Sequence, residues 1–384
     1  MSEVAAWLIV LFPSVATLVL LVELAAGQFR PPPLFFGGAP RIAVLLPARD
    51  EQASIGATVE SLQAQGPSNM RLLVIADNCV DETAATARAA GADVVERNDP
   101  GRVGKGYALA AGRDRLSEDP PDVVVLVDAD CTVAGDGIAQ LAAAAFTRGC
   151  PIQSTYLMRP RPEAGAIVAF SGFAFLIRNL VRQRGLARLG APALVTGSGI
   201  ALPWRLFASA PLASSDLVED LSLGVALARA GHSPMFLPEV QTWSDPPPRM
   251  GLRAQRSRWE HGFLSTAFRH GWWLLADARR WPLFWLALHL TVPPLALLAF
   301  VDGAVLLLLG VLAAAGATWL PMKILLLLTG LLLALLALSW LRFGRDQIRA
   351  WQLLLLPAYL LWKLPVYAAA LLRPQRTWVR TSRP

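Results

Sequence analysis

Charge is scarce in this chain of 384 residues: only 16% of them are charged, against 54% hydrophobic. A protein so apolar is not wholly water-soluble, and its charges gather between about residues 40 and 280, which implies one soluble region flanked by membrane helices. Cysteine is scarcer still. The three present, Cys79, Cys131 and Cys150, are odd in number and form no Cys-x-x-Cys, which excludes a disulfide framework and a zinc site and fits a reducing compartment. Three of the four histidines, His232, His261 and His270, show no metal-ligand spacing and read as structural. Glycine signatures are missing as well. No Gly-x-Gly-x-x-Gly follows the first apolar strand run, and residues 99–106 fail the phosphate-loop pattern because Asp99 stands at its first glycine and Gly106 at its Ser or Thr. Dinucleotide redox chemistry and ATP hydrolysis thereby lose their support.

The formal net charge of +7 does not point to nucleic acid. Many arginines lie beside apolar segments, at 178–188, 279–280, 342–349 and 373–383, where positive charge anchors a cytoplasmic membrane face to anionic lipid, and no RNA-reading motif accompanies them. The uncharged run 4–22 contains Pro13 and approaches the length of a membrane span; Met1-Ser2-Glu3 before it lacks the positive start of a secretory signal, so it reads as an uncleaved anchor. Arg30 and Arg41 follow and place the next domain in the cytoplasm. Residues 282–316 are too long for one span and predict a hairpin bending at Val301-Asp302-Gly303; residues 325–341 and 353–372 are further candidates. With that count the arginines of 342–349 fall on the outer side, against the positive-inside tendency. The run 164–177, followed by Arg178, Arg182, Arg184 and Arg188, has interfacial rather than spanning length, with a packed core helix as the alternative. The expected division is 1–30 anchor, 40–270 soluble domain, 271–281 interfacial helix, 282–372 about four transmembrane helices and 373–384 basic tail.

The soluble stretch alternates strand and helix signals: strands at 41–46, 71–76, 93–96 and 122–127, helices at 51–65, 81–90 and from 104. This βαβ rhythm predicts an open, mostly parallel sheet with helices on both faces and ligands at the carboxyl ends of its strands. Polar residues just past the strands, at 49–51, 77–78 and 128–130, are expected to share one crevice. Paired strand-end carboxylates, Asp128 and Asp130, suit a divalent cation. Glu219-Asp220, opening a helical pattern, suits a proton acceptor, and Arg258-Trp259 suits a diphosphate beside a sugar face. Each has a plainer reading: a solvated turn, acids favoured at a helix start, an amphipathic helix edge.

Leu46-Pro47-Ala48-Arg49-Asp50-Glu51, Ala76-Asp77-Asn78, Gly104-Lys105-Gly106, Asp128-Ala129-Asp130, Glu219-Asp220 and Gln255-Arg256-Ser257-Arg258-Trp259 stand in an order that resembles the membrane-embedded family 2 glycosyltransferases, which include cellulose, hyaluronan, chitin and poly-N-acetylglucosamine synthases and ceramide glucosyltransferases. The resemblance implies a GT-A-type fold with transmembrane helices, an inverting reaction, a UDP-sugar donor and Mg²⁺ or Mn²⁺. It assigns the metal to Asp130 and Asp128, the catalytic base to Asp220 with Glu219 beside it, donor contacts to Glu51, Arg49, Asp77, Lys105, Asp128 and Arg258, and acceptor contacts to Gln255 and Trp259. The expected partners are a UDP-sugar, a growing polysaccharide or else a lipid acceptor of ceramide or hopanoid type, the lipid bilayer and a possible accessory subunit, with no nucleic acid. The expected location is the inner membrane, multi-pass, with the catalytic domain cytoplasmic. A non-catalytic scaffold is the outside alternative, disfavoured by the intact acids of Asp128-Ala129-Asp130 and Glu219-Asp220.

Overall fold

The computed structural model describes residues 2–213, 218–246, 249–276 and 279–372, with side chains outside the description at 2, 249–258, 272–273, 275–276 and 368–372. In chain order the elements run α1 (Ser2–Gly27), β1 (Ile42–Ala48), α2 (Ile55–Gln65), β2 (Met70–Asp77), α3 (Thr83–Ala89), β3 (Asp93–Arg97), α4 (Lys105–Leu116), β4 (Val123–Leu126), β5 (Cys131–Val133), α5 (Gly137–Arg148) and β6 (Ile152–Met158). There follow α6 (Ala166–Leu176), α7 (Gln183–Arg188), β7 (Ile200–Pro203), α8 (Trp204–Ala208), α9 (Glu219–Arg229), β8 (Met235–Ser244), α10 (Arg249–Ala276), α11 (Trp281–Thr291), α12 (Leu295–Ala314), α13 (Leu320–Ser339) and α14 (Leu356–Leu372). The chain divides into two compact units: Met1–Pro31 with Pro160–Ala191 and Ala267–Pro374, and Pro32–Arg159 with Pro192–Thr266.

The second unit is built on one eight-stranded sheet ordered β3-β2-β1-β4-β7-β6-β8-β5. Its first four strands are parallel, as the alternation of strands and helices requires; β7 joins β4 antiparallel, and the sheet is mixed, mostly parallel overall. Val123, Val124, Val125 and Leu126 are all buried because β4 is central and covered on both faces, which is why they form an unbroken apolar run. Register fixes what comes next. Ala48 lies opposite Ala76 and Leu45 opposite Leu126, so Arg49, Asp77 and Asp128 emerge side by side at the carboxyl edge of neighbouring strands. Asp50 and Asn78 turn the backbone there with φ of 51° and 53°, a left-handed geometry that Asp and Asn tolerate better than most residues.

The first unit is a helical bundle. Among the described residues, four helices are long and apolar enough to cross a membrane: Glu3–Gly27, Ala166–Arg188, Leu295–Ala314 and Leu320–Gly344. One sequence expectation is narrowed here and another changes. The run expected to be interfacial, or else a packed core helix, follows the second reading: it belongs to a continuous helical stretch, α6 and α7 joined by a π-helical turn at Ile177–Arg182, and Phe170 is buried against Ile348 and Tyr359, its ring 5.1 Å from that of Tyr359. The hairpin bend is not at Asp302, which sits inside α12, but at Val292-Pro293-Pro294, where two prolines remove successive amide donors. That leaves α11 with 11 residues, about 17 Å at ~1.5 Å per residue, against a hydrocarbon core of ~30 Å.

Polar contacts set the direction of the long helices. Ala6 and Val10 of α1 pack with Leu309 and Leu325; Thr17 Oγ1 and Thr329 Oγ1 donate to Asp302 Oδ2 at 3.1 and 3.3 Å; Gln28 Nε2 donates to Ser339 Oγ at 2.9 Å. Partners on α13 climb from 325 to 339 as α1 climbs from 6 to 28, so the two run parallel, with α12 antiparallel to both. Consequently Arg342, Arg345 and Arg349 lie at the end of the bundle where Phe29 and Arg30 leave α1.

A buried charge cluster ties α1 to α7 and α11: Glu23 Oε2 accepts from Arg182 Nε at 2.6 Å, and His289 Nδ1 lies 2.8 Å from Glu23 Oε1 and 2.9 Å from Arg182. Close backbone approach makes this possible, since a Cβ on Gly185 would stand 2.1 Å from the Glu23 carbonyl oxygen. Gly185→Ala is therefore expected to destabilise the bundle by about 1–3 kcal/mol or more. Thermal unfolding in detergent measures it; an unchanged midpoint would mean the helices separate at no cost.

Candidate active site

At the carboxyl edge of the sheet Lys105 is the hub. It is the first residue of α4, and its Nζ donates to Asp128 Oδ1 at 2.5 Å and to the Gly197 carbonyl oxygen at 2.7 Å, with Glu219 Oε1 at 4.0 Å. Burial alone would favour the neutral amine, but Asp128, Glu219 and Asp220 outweigh it and hold the ammonium well above the usual lysine range. Glu219 responds oppositely: burial and the adjacent Asp220 push its carboxyl up to about 7, with Lys105 opposing. Asp220 lies on the same spot, since a Cβ on Gly197 would fall 3.0 Å from Asp220 Oδ2 and 3.3 Å from Lys105 Nζ. Gly224, one turn further along α9, lets that helix approach Val195 closely enough to deliver both acids here; a Cβ on it would stand 2.9 Å from Val195 Cγ2.

Asp128 and Asp130 stand with Cys131 within 4.8 Å of one another through their ligand atoms. The two carboxylates fit a hard divalent ion such as Mg²⁺ or Mn²⁺. Cys131 is not a suitable third ligand: burial, then Asp130 and Asp128, hold its thiol well above the usual thiol range, so it stays protonated.

At the far end of the same edge Asp77 Oδ1 accepts from Arg97 at 2.6 Å and from Asn78 Nδ2 at 3.0 Å. Burial raises its carboxyl while Arg97 and then Arg49 oppose, which places the Arg49 guanidinium in the same electrostatic neighbourhood. Arg97 also reaches Asp99 and lies 5.5 Å from the Tyr107 ring centroid. Glu51 opens α2: its carbonyl oxygen accepts from the Ser54 and Ile55 amides, and its carboxylate accepts from Ser54 Oγ at 3.0 Å. Trp259 is half-buried on α10. The side chains of Gln255 and Arg258 lie outside the described residues. The fold thus gathers Lys105, Asp128, Asp130, Glu219 and Asp220 tightly, and sets Asp77, Arg49 and Glu51 beside them on neighbouring strand ends.

Sequence reading missed the strap that joins the two acidic groups. Residues Thr196-Gly197-Ser198-Gly199 present the Gly197 carbonyl to Lys105 and the Ser198 hydroxyl to the Asp128 amide at 3.1 Å, with φ of 83° and 67° at the two glycines. Gln153, fully buried on β6, bolts it down. Its Oε1 accepts from the Thr196 amide at 3.1 Å, and its Nε2 donates to the Ser198, Ser154 and Gly199 carbonyls at 2.9, 3.1 and 3.3 Å. The paired glycines around a serine were the available signal.

The glycosyltransferase-like family 2 matches residues 40–262, more than half of the chain and the whole of this site. The chain belongs to that family. Over 95 residues the transferase is 38% identical to the glucosyl-3-phosphoglycerate synthase of Mycolicibacterium paratuberculosis, a match covering 23% of this chain and 28% of that relative. Among solved structures, a mannosyltransferase from Pyrobaculum calidifontis in complex with GDP-Man and Mn²⁺ aligns with a TM-score of 0.62 at 19% identity, over 98% of this chain and 100% of that one, a likeness of fold. The glucosyl-3-phosphoglycerate synthase of Mycobacterium tuberculosis in complex with Mn²⁺, UDP and phosphoglyceric acid aligns with a TM-score of 0.40 at 24% identity, over 63% of this chain and 80% of that one.

Two measurements test the electrostatics and the strap. Glu219 is raised from 4.5 to about 7 on folding, so its stabilising contribution is complete below about pH 4.5 and is lost as pH rises through about 7. Relative to wild type, Glu219→Gln should gain about 3 kcal/mol across that window. Denaturant titrations of both proteins at several pH values give the difference; a constant offset would refute the assignment. Gln153→Leu leaves the Thr196 amide and three carbonyls without their partner and should cost about 1–3 kcal/mol, read as a lower urea midpoint.

Proposed function

We propose that this family 2 glycosyltransferase is an inverting enzyme moving a hexose from a nucleoside-diphosphate sugar to a membrane-borne acceptor, with Asp220 as its base. The observation that carries the reading is Lys105, whose ammonium lies between Asp128 of the strand-end pair and the Glu219-Asp220 pair, so that donor-holding and proton-accepting groups face one point. Asp128 and Asp130 would hold Mg²⁺ or Mn²⁺, which when bound supplies charge to offset that gathering on the departing nucleoside diphosphate. Lys105 adds a fixed positive charge on the same side. Asp220 accepts the proton of the attacking acceptor hydroxyl, and Glu219 is the neighbour that burial keeps protonated to about neutral pH. Asp77, Arg49 and Glu51 line the part of the edge given to the nucleoside, Arg258 serves the diphosphate, and Gln255 and Trp259 serve the acceptor sugar or headgroup.

The donor is a UDP-sugar on the family resemblance. For the acceptor, the sequence favours a growing polysaccharide by its Gln-x-x-Arg-Trp pattern; the bundle favours a single transfer to a lipid. Its long helices meet through the Glu23–Arg182–His289 and Thr17–Asp302–Thr329 contacts, closed polar joints that tie helices together where a polymer channel would need them apart. The four apolar helices support a multi-pass protein of the cytoplasmic membrane with residues 40–270 on the cytoplasmic side.

Asp220→Asn should lower transfer by about 10²–10⁴-fold while Mn²⁺-dependent nucleotide binding survives. Purified protein with radiolabelled UDP- and GDP-sugars and a membrane lipid extract provides the assay, with product sized by chromatography. Loss of nucleotide binding in Asp220→Asn would sink the base assignment, and a polymeric product would overturn the lipid acceptor.

A further inference from the structure

We propose that the end of the bundle where α1 and α13 finish is a docking surface for anionic phospholipid headgroups, with Arg342, Arg345 and Arg349 as its charged groups and Trp351 and Leu354 as its inserted ones. The inference rests on reading the bundle as membrane-spanning.

The segment begins where the apolar length of α13 runs out, at a π-helical turn over Trp340–Gly344, so in a bilayer it lies at headgroup depth. All three arginines are exposed, as is Asp346, leaving the turn with three positive charges against one negative. Immediately after it Trp351 is 58% and Leu354 82% exposed, on a short 3-10 helix, Ala350–Leu355, that continues into α14. Exposed arginines followed at once by exposed tryptophan and leucine are the composition of a segment that lies in the interface, its rings and alkyl groups among the lipid chains and its guanidinium groups on phosphate.

The opposite side of the same segment is fastened. Ile348 is fully buried with Phe170 and Tyr359, and its carbonyl accepts from Trp340 Nε1 at 2.9 Å. Gln352 is buried too: Oε1 accepts from the Arg349 amide at 2.9 Å and Nε2 donates to the Pro162 carbonyl at 2.9 Å. A buried polar clamp on one side and exposed Arg, Trp and Leu on the other describe a surface held ready, whose side chains need little further ordering to bind. The same end carries Arg188, which donates to the Arg30 carbonyl at 3.0 Å and stacks on Phe29, so the positive face continues around the bundle. Charge selects the lipid class. A neutral zwitterionic headgroup gains little from three arginines, whereas each basic residue near an anionic surface is worth about fivefold in affinity.

Native mass spectrometry of the full chain, released from detergent carrying equal phosphatidylglycerol and phosphatidylcholine, reads the preference directly. Wild type should retain phosphatidylglycerol over phosphatidylcholine; Arg342→Gln, Arg345→Gln and Arg349→Gln together should reduce that ratio by about fivefold per arginine removed, and Arg345→Gln alone by about fivefold. Arg88→Gln with Arg148→Gln, exposed positions on α3 and α5, should leave the ratio unchanged. An equal ratio in wild type and triple variant, with both proteins floating on phosphatidylcholine vesicles, would overturn the docking surface alone. Failure of wild type to float on any vesicle would overturn the membrane reading beneath it.

Discussion

The site depends on one half-buried ammonium. Half-buried carboxylates from the end of β4 and the start of α9 converge here, and like charges so placed repel. Lys105, brought by the first turn of α4, stands between them and makes the convergence stable. Its second hydrogen bond, to the Gly197 carbonyl, extends that role to the backbone: the strap that holds Lys105 also holds the Asp128 amide through Ser198. Charge balance and loop geometry are thus one arrangement, and Gln153 beneath the strap belongs to it although it touches none of the acids among the contacts described.

The bundle follows a different rule. Its helices are apolar almost throughout, so small residues and polar contacts distinguish which helices meet and in which direction. Gly27 and Gly185 bring α1 and α7 to backbone contact, Glu23 pairs with Arg182, and Thr17, Asp302 and Thr329 align α1, α12 and α13. Parallel α1 and α13 place the arginines of 342–349 at the end where Arg30 emerges. Two prolines, Pro293 and Pro294, end α11 after 11 residues.

The parallel half of the sheet was legible because its strands are apolar throughout and separated by helices with clear starts, and β1 to β4 fall within a few residues of the expected runs. The mixed half, β5 to β8, was not. Ile152–Met158 is buried at every position yet reads Ile-Gln-Ser-Thr-Tyr-Leu-Met, since its polar members are satisfied by partners distant in sequence. The helix at 166–188 was ambiguous for a related reason: its arginines look like the end of a membrane segment, whereas Arg182 and Arg184 are buried and partnered, Arg182 by Glu23 and Arg184 by Phe29 and Phe343.

Residue order was enough to name the chemical groups available, the family to which they belong and the parallel strands that end beside Asp77 and Asp128, because periodicity and short motifs are local properties of the chain. Tertiary structure alone decided that Lys105 stands between the two acidic pairs, that Gln153 and the Thr196–Gly199 strap support them, and that α1 runs parallel to α13. Those facts rest on hydrogen bonds and close backbone contacts between residues tens to hundreds of positions apart, and spacing along a chain carries no record of them.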